Sequence, residues 1–370
     1  MGELGYTFNG LNGKSKDDFG HGSAKYITYM NVYKNPIATL EELDLIEIDK
    51  SQNEIKKGDI LFTTSSETPE EVGLSSVWMY EITNIYLNSF CFGFRLEQKI
   101  SINYMAYMLR SNSIRNKITL LAQGISRYNI SKKGMMNIEV FLPSYAEQTQ
   151  IGNFFKQLDD TIALHQRELE KFKILKTSYL ENIFLGKVSL FTAKNTITWE
   201  QRKLGEVVNV LDNLRIPIAA SQRLEGVTPY YGANGIQGYI DGFTHDGEFV
   251  LVAEDGANDL INYPVQYVLG KVWINNHAHV LQGIKNVANN LFLVYRIKSM
   301  DMTKYLVGGG RTKLNASVMK DIELHLPNYA EQTQIGNFFK QLDDTITLHQ
   351  KELAKYQQIK AACLEKMFVE

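Results

Sequence analysis

The sequence predicts an α+β chain in which two globular α/β units are each followed by a long helix. The helices are expected to pair as an antiparallel coiled coil about a pseudo-two-fold axis. Three observations carry this. Residues 142–172 recur as 326–356 with 26 of 31 positions identical at an offset of 184. Apolar residues within both copies alternate at spacings of four and three, a heptad seam. The regions ahead of the copies, 1–141 and 188–325, hold short β-like runs, aromatics and turn residues, and resemble each other far less. Two copies are too few for a solenoid, so a covalent imitation of a homodimer is the economical arrangement.

The expected order is a globular domain over 1–141, a helix within 142–187, a second domain over 188–325 and a second helix within 326–370. Gly58–Thr64 and Gly247–Ala253 read as matching strands, and Ile102–Arg110 as a short helix. Ser144 with Glu147, and Asn328 with Glu331, fit helix N-caps with an acid at the third helical position. The first seam runs Ile151, Phe155, Leu158, Ile162, His165, Leu169. The second runs Ile335, Phe339, Leu342, Ile346, His349, Leu353. Gly186 is a plausible stop for the first helix. Residues 145–184 span ~60 Å as a helix. His165 and His349 occupy seam positions where an apolar residue is expected. Antiparallel pairing brings them together as a polar register marker, with a pH switch as the alternative.

Composition bounds the function. The chain has 370 residues, 44% hydrophobic and 22% charged, so it is globular and long enough for two domains. Cys91 and Cys363 alone cannot build a disulfide framework, which points to a reducing cytoplasmic setting. No signal peptide or membrane span is expected. The net charge of -2 excludes a uniformly basic nucleic-acid binder but conceals a pattern. Residues 41–71 carry a net of -7 and residues 98–138 a net of +7; residues 224–270 hold seven acids and no base, and 282–320 a net of +6. A basic face on each unit would suit a nucleic-acid backbone; solvated surface is the bland alternative.

The two copies of Pro-x-x-x-Glu-Gln-x-x-Ile-x-x-Phe-Phe-x-x-Leu-Asp, at 143–159 and 327–343, each follow a divergent globular region. In this the whole chain resembles the specificity subunits of type I restriction–modification systems. Lys25–Tyr29, Lys57–Leu61, Tyr231–Gly235 and Val272–Leu281 share the family look. The resemblance implies two target-recognition domains, each reading one half of a split double-stranded DNA sequence, and paired helices that set the unread gap. It implies no catalysis and no cofactor in this chain. Two modification subunits would methylate adenine with S-adenosylmethionine, and restriction subunits would use ATP and Mg. A ~60 Å rod exceeds one DNA turn of ~34–36 Å, which fits separated half-sites. One departure is plain: Trp199–Glu206 opens the second unit, but only Gly2-Glu3 has a counterpart in the first. A trimmed terminus and an internal start both fit, and the first strand of the first unit is left unpredicted.

Other chemistry finds little support. No Asn/Asp-Pro-Pro-aromatic methyltransferase motif and no phosphate loop is present; Gly308–Gly310 reads as a flexible loop. Glu254-Asp255 more simply closes a strand than forms a nuclease site. His277 and His279, with Asn275 nearby, share a strand face but find no third ligand at local spacing, which favours packing or hydrogen bonding over a metal. Base and phosphate contacts need Arg, Lys, Asn, Gln or aromatic groups. The DNA-binding candidates are Lys14, Lys16, Tyr29, Asn31, Lys34, Arg127 and Lys132 in the first unit. In the second they are Arg215, Gln222, Arg223, Asn234, Gln237, Arg311 and Lys313. Arg127 and Arg311 are the leading phosphate candidates, at equivalent places in basic loops. A two-module coiled-coil scaffold without DNA, and the specificity part of another methyltransferase or nuclease system, are the competing readings.

Overall fold

A computed structural model describes residues 1–185, 199–309 and 312–368. The chain divides into two compact units. The leading unit is Met1–Gln166 with Lys351–Glu370, and the trailing unit is Arg167–Gln350. The long helices run Tyr145–Phe184 and Tyr329–Lys366. Both compact units therefore include parts of both helices. Gly186, the expected stop of the first, lies outside the described residues.

In the leading unit a four-stranded antiparallel sheet has the order Gly5–Asn9, Cys91–Leu96, Ile60–Thr63, Ser75–Val77. Every residue of Ile60–Thr63 is buried because both faces of the strand are covered. Ile60 and Phe62 face helix Ile102–Met108, while Leu61 faces Trp78, Ile27 and Leu87. This explains why Ile60, Leu61 and Phe62 are apolar in succession, without period-two alternation. Gly93 sits in that sheet where any Cβ would overlap the Phe8 ring. A second sheet has the order Leu43–Ile46, Phe19–Ile27, Ile85–Leu87.

In the trailing unit six strands form one sheet. Their order is Val208–Val210, Ala278–Gly283, His245–Ala253, Val265–Ile274, Thr228–Gly232, Gly235–Ile240. Val250 and Val252 face helix Asn290–Lys298, and Phe249 and Leu251 face Val268 and Val280. Strand Glu200–Lys203 pairs antiparallel with Glu323–Leu326.

The repeated helix segment docks the same way in both units. In the leading unit, Gln148 Oε1 accepts from the Ser101 N–H at 3.0 Å, and Tyr107 donates to Asp159 at 3.0 Å. Phe155, fully buried, stacks on Tyr107 and on Phe368. In the trailing unit Gln332 accepts from Asn289 N–H at 2.9 Å, Tyr295 donates to Asp343 at 2.8 Å, and Phe339 packs on Tyr295. Gly152 and Gly336 permit this seat, since a Cβ at either would meet the backbone nitrogen of Tyr104 or Phe292. The shared motif is thus a docking code for a short helix as well as a seam.

Within each unit the two long helices run antiparallel. Lys360 bonds Asp159 and Tyr356 stacks on His165 in the leading unit. Lys176 pairs with Asp343 and Phe172 stacks on His349 in the trailing unit. Both seam histidines therefore lie against an aromatic ring. Burial along the seam is uneven. Phe155, Leu158, Ile335, Phe339 and Leu342 are buried, whereas Ile151, Ile162, Leu169, Ile346 and Leu353 are only half-buried. No helix among the described residues is long and apolar enough to cross a membrane.

Candidate nucleic-acid interface

The basic stretches do not form uniform faces. In the leading unit Arg110 is sunk among carbonyls, donating to Ser75 O at 2.6 Å, Val32 O at 2.7 Å, Tyr33 O at 3.0 Å and Asn35 O at 3.1 Å. Arg115 similarly ties down Glu70, Val72 and Gly73. Burial lowers both guanidiniums to about 10. Arg296 and Lys298 of the trailing unit are also lowered by burial. The expectation that each basic stretch is a binding surface is corrected here. Half-chain charge counts cannot distinguish an outward cation from one that clamps loop carbonyls.

What both units do present is a hairpin at one offset. Gln123 and Asn129 exchange backbone hydrogen bonds at 2.9 and 2.8 Å, and Val307 and Lys313 exchange theirs at 2.9 Å each. The pairs are 184 residues apart, matching the helix repeat. Each turn opens on glycine, Gly124 at φ 150° and Gly308 at φ 99°, a region costly for side chains with a Cβ. The first tip carries Ile125, 97% exposed, and an exposed Arg127. Arg311, its counterpart, lies outside the described residues.

The other candidates fall into three groups. Tyr29 and Arg127 line one cleft of about 490 Å³ with Tyr33, Ser65, Glu71 and Phe90. Tyr29 donates to Ser65 O at 2.7 Å and stacks on Tyr33. Lys16, Gln222 and Gln237 are exposed. The rest are already engaged. Lys14 pairs with Asp49 at 2.9 Å, Lys34 with Glu42 at 3.3 Å, and Lys132 bonds Asn9. Asn31 is fully buried, its amide spent on Thr39 and Glu42. Arg223 lies over the Tyr230 ring at 3.8 Å. Asn234 bonds Gly256 O at 2.9 Å and accepts from Asn258 N–H at 3.0 Å.

Arg215 and Lys313 meet in a network that local spacing missed. Arg215 donates to Glu254 at 2.7 Å, and Lys313 pairs with the other Glu254 oxygen at 3.0 Å. His279, 1% exposed, meets Asp212 through Nδ1 at 2.6 Å and Leu314 O through Nε2 at 2.8 Å. Asp212, Glu254 and His279 present possible ligand atoms within 4.8 Å of one another. Burial pushes both carboxyls up, but their cationic and hydrogen-bonding partners outweigh it and hold them below the usual range. Because Arg215, Lys313 and the Val280 N–H already occupy the carboxylate oxygens, the cluster is built as a structural hub. It fixes the 307–313 hairpin to the end of strand His245–Ala253 through Leu314 N–H on Glu254 O at 2.7 Å. The signal was His279 itself, whose partners stand 67 and 35 residues away. His277 bonds Asp255.

Comparisons with known proteins place these features. The family described as the type I restriction modification DNA specificity domain matches residues 9–173 and 196–358. The specificity subunit S.HindORF215P of Haemophilus influenzae is 45% identical over 136 residues, 37% of this chain and 35% of that protein. The StySPI specificity subunit of Salmonella potsdam is 23% identical over 322 residues, covering 79% and 69%. The chain spans about a third of the length of the first relative and 41% of the EcoprrI specificity subunit of Escherichia coli. The crystal structure of a type I S subunit from M. genitalium shares the fold at a TM-score of 0.69 and 18% identity, covering 100% and 94%. With two matched segments, one for each globular unit and its helix, the chain belongs to the type I restriction–modification DNA specificity family.

Proposed function

We propose that this chain is a non-catalytic subunit that gives sequence specificity to a type I restriction–modification complex. Residues 1–141 and 188–325 act as target-recognition domains on a bipartite duplex, one per half-site. Residues 142–187 and 326–370 serve as the shared scaffold and as the seat for two modification subunits, which restriction subunits then join. S-adenosylmethionine, ATP and Mg belong to those partners, and the complex works in the cytoplasm. The observation that carries the proposal is the glycine-opened hairpin, repeated at offset 184 on two otherwise different units that dock through the same Gln, Phe and Asp.

Within that function, the hairpins and the Tyr29–Arg127 cleft are the proposed DNA-facing elements. Exposed Lys16, Gln222 and Gln237 join them. His165 and His349 are proposed to fix helix register through their aromatic neighbours. Sequencing the methylome of cells that express the chain with its modification partner tests the function. The expected result is a split motif with adenine methylated in both halves. Exchanging residues 1–141 for those of a relative should change one half alone. A duplex-binding assay in which the complex ignores sequence at every salt concentration would support a scaffold without DNA reading.

A further inference from the structure

The two hairpins share an offset but not a tip. In the leading unit Ile125 is the most exposed large apolar side chain among the described residues, at 97%. Leu120, the last residue of helix Asn112–Leu120 that leads into the hairpin, is 85% exposed. Arg127 stands two residues beyond Ile125 and is exposed as well. A lone exposed apolar residue is ordinary; one held at the end of a clamped protrusion beside a cation is not.

The base of this hairpin is fixed. Strand Tyr128–Asn129 pairs antiparallel with Ser65–Ser66, Ile130 N–H donates to Thr64 O at 3.0 Å, and Ile130 is buried. Ser66 donates to Glu71 at 3.0 Å, which ties that strand down in turn. Gly124 lets the turn close, since a Cβ there would overlap the Arg127 carbonyl. Ile125 is β-branched and has few rotamers open to it. A stiff side chain on a stiff turn loses little freedom on insertion.

The trailing unit puts Lys304 and Gly309 at the equivalent positions, 184 residues on. A Cβ on Gly309 would meet no atom within 4 Å, and its φ lies outside the left-handed region. Packing therefore does not require glycine there. We propose that Ile125 is an apolar wedge, which enters between two base pairs of the leading unit's half-site and unstacks that step while Arg127 meets a flanking phosphate. The trailing unit, with Gly309 in its place, reads its half-site without a wedge. Apolar side chains of this kind open base steps and kink duplexes, at a cost that depends on the step being opened. The leading half-site is thus read in part through its stacking, which yields most easily at a pyrimidine–purine step. The inference rests on the DNA-reading role and gives one unit alone a second mode of it.

The test uses the chain assembled with its modification partner and the duplex that methylome sequencing defines. The fluorescent base 2-aminopurine is placed in turn through the half-site that exchange of residues 1–141 alters, away from the methylated adenine and its neighbours. Emission should rise at one step with the native chain and with Ile125→Leu, and stay flat with Ile125→Ala. A mismatch at that step should tighten binding of the native chain by about tenfold or more, and of Ile125→Ala by less than about twofold. The wedge is overturned if no step brightens, or if Ile125→Ala brightens it equally, while the complex still prefers its duplex and Arg127→Ala still lowers the salt slope. That result leaves the DNA-reading role standing. A native complex that does not prefer its duplex to an unrelated one overturns both. An Ile125→Ala chain that no longer assembles with the modification partner gives the tip to that protein and overturns the wedge.

Discussion

The leading and trailing units use one docking seat but finish it differently. Gln148, Gly152, Phe155 and Asp159 hold helix Ile102–Met108 as Gln332, Gly336, Phe339 and Asp343 hold Asn290–Lys298. Beyond that seat and the paired hairpins, the two units differ. The leading unit clamps its loops with Arg110 and Arg115, and the trailing unit anchors its hairpin through Asp212, Glu254 and His279. The comparison teaches that the repeat keeps the side chains that seat a short helix, and that Asp159 and Asp343 also reach a lysine of the opposite long helix.

The largest test of that equivalence is removal of the central rings. Phe155→Ala and Phe339→Ala should each cost about 3–5 kcal/mol, the range for buried aromatics. Denaturant unfolding would register two similar losses; a loss in one copy alone breaks the equivalence. Gly152→Ala should cost about 1–3 kcal/mol through overpacking, and more than Gly336→Ala, because its Cβ would press closer on the docked helix. Equal costs would mean that the short helices shift freely on their seats.

Arg127→Ala tests the hairpin rather than the seat. Binding of the assembled complex to duplex should weaken across sequences, and the salt slope should fall by about one. An unchanged slope would remove Arg127 from the phosphate contacts.

The smallest effect has opposite signs in the two units. Burial raises the Glu331 carboxyl, opposed by the Trp199 indole N–H, while hydrogen bonds from Ser144 lower that of Glu147. A raised acid costs stability as pH climbs from its unfolded to its folded value; a lowered acid adds stability that vanishes as pH falls through its folded value. Glu331→Gln should therefore raise Tm at pH 7 and Glu147→Gln lower it, with both differences fading in acid. Thermal scans from pH 4 to 7 check the signs.

The helices, their caps and their pairing direction were legible because near-identical residues, a 4–3 spacing and Ser144 or Asn328 are local signals. The hairpins were half legible, through Gly124, Arg127 and their offset partners. Asn31, Arg110 and Arg215 misled because their partners are backbone carbonyls and distant acids, which no window of sequence contains. Strand Glu200–Lys203 was foreshadowed by the unmatched Trp199–Glu206, though the edge it covers was not.

The shared docking seat has a consequence for heredity. Either long helix offers the same glycine, glutamine, ring and carboxylate to whatever globular unit precedes it. A recombination crossover within the repeated segment would therefore leave both seats intact while exchanging everything upstream. Globular units exchanged in this way would meet the same seat on either helix.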